Sequence, residues 1–170
     1  MTALIVDGKE VELKLPKNVK LESSSPEGII VVSNRENIKS VRIYPKNLII
    51  GIGCKRDTST EHIMQGIRQA MEKNNLSMKS IKKLATVDIK ADEKGLLECS
   101  EILGKELVII SREDIKKVEE QFEGSSFVKK QIGVSAVSEP CALLASNGKG
   151  KFLEKKYIYD GMTVSIYEES

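Results

Sequence analysis

The chain contains no tryptophan, and aromatic residues of all kinds make up only 4% of it. Base-stacking platforms need several rings, and a net charge of +2 is too small for a phosphate backbone, so nothing argues for nucleic acid as a partner. One histidine, His62, excludes any centre built on several imidazoles; it reads as a solvated or capping residue in a helix's first turn. The cysteines, Cys54, Cys99 and Cys141, are odd in number and widely spaced. They form neither a disulfide framework nor a zinc pattern, and Cys99 and Cys141 read as small buried hydrophobes. No apolar run reaches the length of a membrane span, and the N-terminus lacks the basic-then-apolar layout of a signal peptide. These absences predict a soluble, cytoplasmic protein with no membrane partner and no protein-bound metal.

What is present is an ordinary folding composition: 170 residues, 40% hydrophobic and 31% charged. That is room for one good domain and a smaller attachment. Residues 1–46 read as β-rich. Leu4-Ile5-Val6 and Val11–Leu15 flank Asp7-Gly8, a dipeptide favoured in tight hairpins. Ile29–Val32 and Val41–Tyr44 are further strands, and Lys17–Gly28 between them reads as a loop. This segment is too small for an independent core and looks like an appendage.

From Leu48 onward, strands alternate with helices. Leu48-Ile49-Ile50 reads as a buried strand, and Ile63, Ile67, Ala70 and Met71 recur at helical spacing over about residues 59–74. Ala85–Asp88 is a short strand, after which Asp92 caps a helix that Gly104 stops. Leu107–Ile110 is a strand that leads into Ser111 as the next N-cap. Ile132-Gly133-Val134 reads as extended, Ser138-Glu139-Pro140 opens a last helix, and Lys155–Tyr167 forms a hairpin about Asp160-Gly161. The pattern predicts an α/β fold: a layered mixed sheet flanked by helices, with a small N-terminal β appendage.

Three polar loops carry the candidate chemistry. The first, Gly51-Ile52-Gly53-Cys54-Lys55-Arg56-Asp57-Thr58-Ser59, joins a strand to a helix. Its third glycine is missing for a dinucleotide fingerprint, and no Gly-Lys-Ser/Thr ends it as in a P-loop. It is either a tight turn or an anion site in which Lys55 and Arg56 meet carboxylate or phosphate oxygens beside free N–H groups. Cys54, if held at a helix N-terminus, would gain nucleophilicity. The second loop, Asp88–Gly95, offers Lys90 for an anion and Glu93 as general acid or base, or else is an ordinary capped helix start. The third, Gly133 with Val137-Ser138-Glu139-Pro140, offers Glu139 either as a charge complementing the helix dipole or as a site carboxylate. Three such loops on one rim of a sheet would suit a ligand with several carboxylates. A Ser-His-Asp hydrolase finds no support, since Gly-x-Ser-x-Gly is absent.

In series, Tyr44-Pro45-Lys46-Asn47-Leu48 with Gly51–Arg56, then Thr86–Leu96, then Gly133-Val134 with Val137–Leu143, resemble the C-terminal domain of the CbiG family of cobalamin-biosynthesis proteins, a domain shared with CobE. The resemblance spans about residues 44–167. It implies that residues 47–170 are that domain, and that 1–46 are part of a β-rich middle region or linker of a longer protein whose N-terminal domain is missing here. The implied activity, in the anaerobic pathway to vitamin B12, opens the δ-lactone of cobalt-precorrin-5A and releases acetaldehyde to give cobalt-precorrin-5B. The implied alternative is a CobE-like module that binds a corrinoid intermediate without reacting. On this resemblance the substrate is a cobalt-bearing tetrapyrrole rimmed with acetates and propionates, and no further cofactor is implied because the cobalt travels in the substrate. Glu93 and Glu139 compete as base, and Lys90 steadies developing negative charge. Gly51, Gly53, Cys54, Lys55, Arg56, Thr58, Ser138 and Lys155 are the expected substrate-binding residues. A homodimer and other cobalamin-pathway enzymes stand as further candidate partners. Asp57 departs from the family, which usually has glycine there; a carboxylate beside Lys55 and Arg56 is expected to weaken the anion site or form a local salt bridge.

Overall fold

The computed structural model describes residues 4–6, 9–10, 30–32 and 41–170. The expectations for Asp7-Gly8, Val11–Leu15 and Lys17–Gly28 lie outside the described residues. The chain divides into two compact units, one of residues 1–46 with Asn75–Ser80, the other of Asn47–Asn74 with Ile81–Ser170.

In the first unit, β1 (Leu4–Val6) and β2 (Lys9–Glu10) pair antiparallel, with Val6 opposite Lys9. Strands β3 (Ile30–Val32) and β4 (Val41–Ile43) extend this into a sheet of order β2-β1-β3-β4 in which β1, β3 and β4 run parallel.

The second unit carries a five-stranded mixed sheet of order β7-β6-β5-β9-β8. Strands β5 (Leu48–Gly53), β6 (Ile81–Val87) and β7 (Glu106–Ile110) are parallel neighbours. The hairpin of β8 (Gly150–Tyr159) and β9 (Met162–Glu169) closes antiparallel onto β5. Its turn residues Asp160 and Gly161 both have positive φ, +35° and +81°, the conformation that matches the twist of paired strands and favours Asp-Gly. This is the α/β layered sheet the strand–helix alternation predicts.

Helices cover both faces. Helix α1 (Thr60–Lys73) starts at Ser59, whose hydroxyl accepts from the His62 N–H, and buries Ile63, Gly66, Ile67, Ala70 and Met71. That i, i+3, i+4, i+7, i+8 stripe packs on β9 and on α2 (Lys94–Leu103). Each large apolar side chain so buried contributes ~1.5–3 kcal/mol over leaving it in water. Gly104, left-handed at φ +60°, ends α2. On the opposite face lie α3 (Arg112–Val118), α4 (Ser126–Ile132) and α5 (Ser138–Leu144). There Ile49, Ala85, Val87 and Tyr167 of the sheet form one core with Ile115, Val134, Cys141, Ala142 and Ala145.

Three local expectations are corrected. Helix α2 is capped by Glu93 rather than Asp92 and begins at Lys94, because a 3-10 turn at Asp88–Lys90 takes up the residues after β6. Ile132-Gly133 is not extended: it closes α4, with Gly133 in the left-handed cap at φ +81°. The first strand runs on through Gly53, so Gly51 and Gly53 are strand residues and not part of a glycine turn.

Gly51 explains itself sterically. A Cβ built there would stand 1.9 Å from the Ser138 carbonyl oxygen and 2.9 Å from the Ala142 Cβ, so α5 rests directly on the bare backbone of β5. Gly51→Ala is therefore expected to cost about 3 kcal/mol or more, at the upper end of overpacking penalties, because the obstacle is backbone rather than a movable side chain. Urea unfolding measures it, and a loss under ~1 kcal/mol would show that α5 can slide off the strand freely.

Candidate functional site

The parallel strands β5, β6 and β7 release their loops at one edge of the sheet, and side chains lace those loops together. Arg56, in the loop after β5, donates from Nη1 to Asp92 Oδ1 at 2.6 Å and from Nη2 to the Ile89 carbonyl at 2.7 Å, both beyond β6. Asp88, at the end of β6, accepts from Arg112 Nε at 2.9 Å and from the Arg112 N–H at 3.2 Å, at the start of α3. The Cβ that Gly95 lacks would stand 2.1 Å from the Thr58 carbonyl, which is how α2 comes to start against the first loop.

Glu93 is the hub of this lacing. It is 4% exposed and its carboxylate is fully engaged. Oε1 accepts the Asp57 N–H at 2.8 Å; Oε2 accepts from Lys90 Nζ at 3.0 Å, with Arg56 Nη1 3.8 Å away. Lys90 is itself buried. In a buried ion pair of this sort, removing either partner strands the other's charge without water.

Cys54 lies half-buried beside this group. Burial is the largest influence on its thiol and pushes the pKa up; Lys90 lowers it, Glu93 raises it, and Thr58 and Arg56 lower it. The expected helix N-terminus is also absent, since α1 starts only at Thr60. Both observations, the burial and the distance from a helix start, count against the nucleophilic reading of Cys54. Thr58 closes its own loop, donating Oγ1 to the Lys55 carbonyl at 2.9 Å. Burial likewise pushes the Cys99 thiol up to about 12 and raises that of Cys141.

Asp57 adopts φ +59°, a left-handed conformation that glycine takes freely and that Asp and Asn tolerate better than other residues. No ion pair of Asp57 is found among the described residues. Backbone geometry thus makes glycine as well suited to this position as aspartate, and either keeps the N–H that Glu93 accepts.

The third loop arrives by way of α5. Val137 packs against Gly53, whose missing Cβ would lie 3.3 Å from the Val137 Cβ, and Ser138 covers Gly51. Gly51 therefore serves the approach of α5 and lies buried beneath it, whereas a Cβ on Gly53 would first meet Thr163 Oγ1 of β9, at 2.8 Å. Ser138 is buried at that contact. Glu139 follows at 4% exposure, and among the described residues its carboxylate has no hydrogen bond and no ion pair. Its oxygens are not sealed, since the unpartnered polar atoms fully shut from solvent are Asn47 Oδ1 and Ser80 Oγ. Burial raises the Glu139 pKa most, Lys156 and Lys155 lower it, and Glu123 raises it.

The expected residues thus divide. Cys54, Arg56, Thr58, Lys90 and Glu93 are brought together around the first two loops. Ser138, Glu139 and Lys155 gather around α5 and the terminal hairpin. Lys55 is exposed and lies by the hairpin turn, its Nζ 3.2 Å from where a Gly161 Cβ would be. Arg56 is spent on Asp92 and Ile89, so it ties loops. Asp92 was expected only as a helix cap and Lys156 was not singled out from sequence, because their contacts reach across 36 and 17 positions. Among the described residues no group of three or more His, Cys, Asp or Glu could hold a metal, and no helix is long and apolar enough to cross a membrane.

Mixed sheet, covering helices and charged loops at the C-terminal ends of parallel strands define an open-sheet α/β domain, a class that takes ligands at that edge. Residues 48–167 match the family model described as cobalamin synthesis G C-terminus, and the chain belongs to that family. The cobalt-precorrin-5A hydrolase of Priestia megaterium is 36% identical over 160 residues, covering 85% of this chain and 42% of that protein. The probable cobalt-precorrin-5A hydrolase of Methanocaldococcus jannaschii is 30% identical over 173 residues, covering 95% of this chain and 54% of its own. The solved structure of CobE, a protein from the cobalamin (vitamin B12) biosynthetic pathway, superposes with a TM-score of 0.68 at 25% identity, over 74% of this chain and 92% of that one. The chain spans about half the length of the curated relatives it matches.

Two stability tests follow from this geometry. Glu93→Leu is expected to cost ~3–5 kcal/mol by stranding the Lys90 ammonium, while Lys90→Met with Glu93→Leu recovers most of that loss; additive losses in a denaturation cycle would refute the pairing. Asp57→Gly is expected to be near neutral, whereas Asp57→Val costs ~1–2 kcal/mol because a branched side chain meets its own carbonyl at positive φ.

Proposed function

We propose that this chain is the C-terminal part of a cobalt-precorrin-5A hydrolase, acting on a cobalt-bearing tetrapyrrole rimmed with acetates and propionates. The net reaction consumes a water, opens the δ-lactone and releases acetaldehyde, leaving cobalt-precorrin-5B. The observation that carries the residue roles is the contrast between two carboxylates. Glu93 is already held on both oxygens, by Lys90 and the Asp57 N–H with Arg56 nearby, so its charge is engaged in tying the loops. Glu139 is buried, unpartnered among the described residues and raised in pKa, which makes it the stronger base. Glu139 takes the proton from the attacking water as the water adds to the lactone carbonyl. Lys90, whose ammonium has donors beyond the one given to Glu93, faces the oxygen on which negative charge develops. Lys55 and Lys155, exposed and without ion pairs among the described residues, meet substrate carboxylates.

A second reading is a module that binds the corrinoid without reacting. It is favoured by one fact, that CobE is matched over 92% of its length by this chain alone, whereas the hydrolases extend well beyond it.

Incubating the chain with the cobalt-corrinoid intermediate, beside a full-length hydrolase, and assaying acetaldehyde separates the two. Release by the full-length enzyme with binding but no release by the chain supports the second reading for this piece. In the full-length enzyme, replacing the glutamate equivalent to Glu139 by glutamine is expected to lower turnover ~100-fold or more; an unchanged rate would move the base elsewhere. The wild-type rate should fall on acidification at a pH above the ordinary carboxylate range, because the base works only ionised. Stability runs the other way. The folded pKa of Glu139 lies above its unfolded value, so stability falls as pH rises between the two, and Glu139→Gln removes that fall.

A further inference from the structure

The hairpin carries a built irregularity that the roles above leave unused. Along β8 and β9, Glu154 stands opposite Ile166 and Tyr157 opposite Val164. Three steps on β8 therefore face two on β9, and the pair Lys155-Lys156 shares the single partner position of Ser165. This is a β-bulge, and both backbone groups it frees are taken up by side chains. Ser165, fully buried, donates its hydroxyl to the Lys155 carbonyl. The Lys156 N–H is bonded to the Glu154 carboxylate, which Lys73 and Asn74 of the α1 end also hold, at 2.7 and 3.1 Å.

In a regular strand, consecutive side chains point to opposite faces; a bulge breaks that alternation and re-aims them. Here Lys155 and Lys156 both act on Glu139, which lies on the α5 face of the sheet with Ser165, Gly51's partner across the β5–β9 ladder. Helix α5 packs against β8, so two exposed lysines without ion pairs among the described residues stand on the strand beside the helix that carries one buried carboxylate without a partner. The remaining charge at Glu139 is Glu123, exposed and of the opposite sign to the lysines.

We propose that the Lys155-Lys156 bulge is a subsite for one carboxylate of the substrate, and that a carboxylate docked between the two lysines arms Glu139 as a base by cancelling their charge. In the empty site the lysines favour the ionised, weakly basic form of Glu139. A bound carboxylate neutralises them, so the proton affinity of Glu139 rises only when substrate is in place. The subsite rests on the reading of Glu139 as the base, and it assigns to Lys156 and Ser165 a part that neither held before: Lys156 contacts the substrate carboxylate, and Ser165 is a positioning residue that pins the bulge.

The test needs no corrinoid, so its failure is distinguishable from failure of the hydrolase assay. The chain labelled with 13C at glutamate Cδ is titrated by NMR in potassium propionate and, at equal ionic strength, in potassium chloride. Propionate is expected to move the Glu139 midpoint to higher pH by ~0.5 or more relative to chloride. In Lys155→Gln/Lys156→Gln, whose replaced side chains are exposed, the midpoint should already be high in chloride and should not respond to propionate. An identical midpoint in the two salts, or a propionate response kept by the double variant, would overturn the proposal. Glu139→Gln assigns the resonance.

Discussion

The rest of the domain depends on how closely the first turn of α5 approaches β5. The Ser138 carbonyl sits where any side chain on Gly51 would have to be, and Val137 leans on Gly53. That contact seals the second core, since Cys141 and Ala142 on the same helix pack with Ile49, Ala85 and Tyr167. It also fixes where Glu139 emerges: one residue beyond the serine that covers Gly51, on a helix that packs against the strand whose bulge carries Lys155 and Lys156. Small residues on both partners make the approach affordable, and Pro140 adds no unsatisfied N–H in a first turn that would leave one free anyway.

A second consequence is that two glutamates of equal intrinsic acidity come to differ in kind. Glu93 is surrounded by donors, and its work is to hold two loops and a buried lysine in register. Glu139 is buried with no hydrogen bond or ion pair among the described residues, and burial raises its pKa against the pull of Lys156 and Lys155. The cations divide in the same way. Arg56 is committed to protein oxygens and Lys90 gives one donor to Glu93, whereas Lys55, Lys155 and Lys156 are exposed at the surface.

Much of the second unit was legible in the chain. The α1 stripe, the Ser111 cap, the Gly104 stop and the Asp160-Gly161 hairpin are local features, and local propensity and tertiary packing agree on them. The errors came where a distant element intervened. Gly51 and Gly53 looked like a turn because glycine in sequence does not reveal whether it supplies conformational freedom or empty space, and here the need for space comes from a helix 87 positions away, at Ser138. Asp92 looked like a cap because it precedes an apolar run, but Arg56 draws its carboxylate outward. Asp57 looked like a defect in an anion site; its positive φ is a property of the loop's path, which only the closed loop displays.

By itself, then, the sequence determined the alternation of strands and helices, the family, and the set of polar residues from which a site is made, because periodicity, caps and turn dipeptides act over a few residues. Tertiary structure alone decided which members of that set are spent and which are available. Hydrogen-bond saturation and desolvation are set by neighbours brought in from other elements: Asp57 and Arg56 against Glu93, and the bulged lysines and the α5 packing around Glu139.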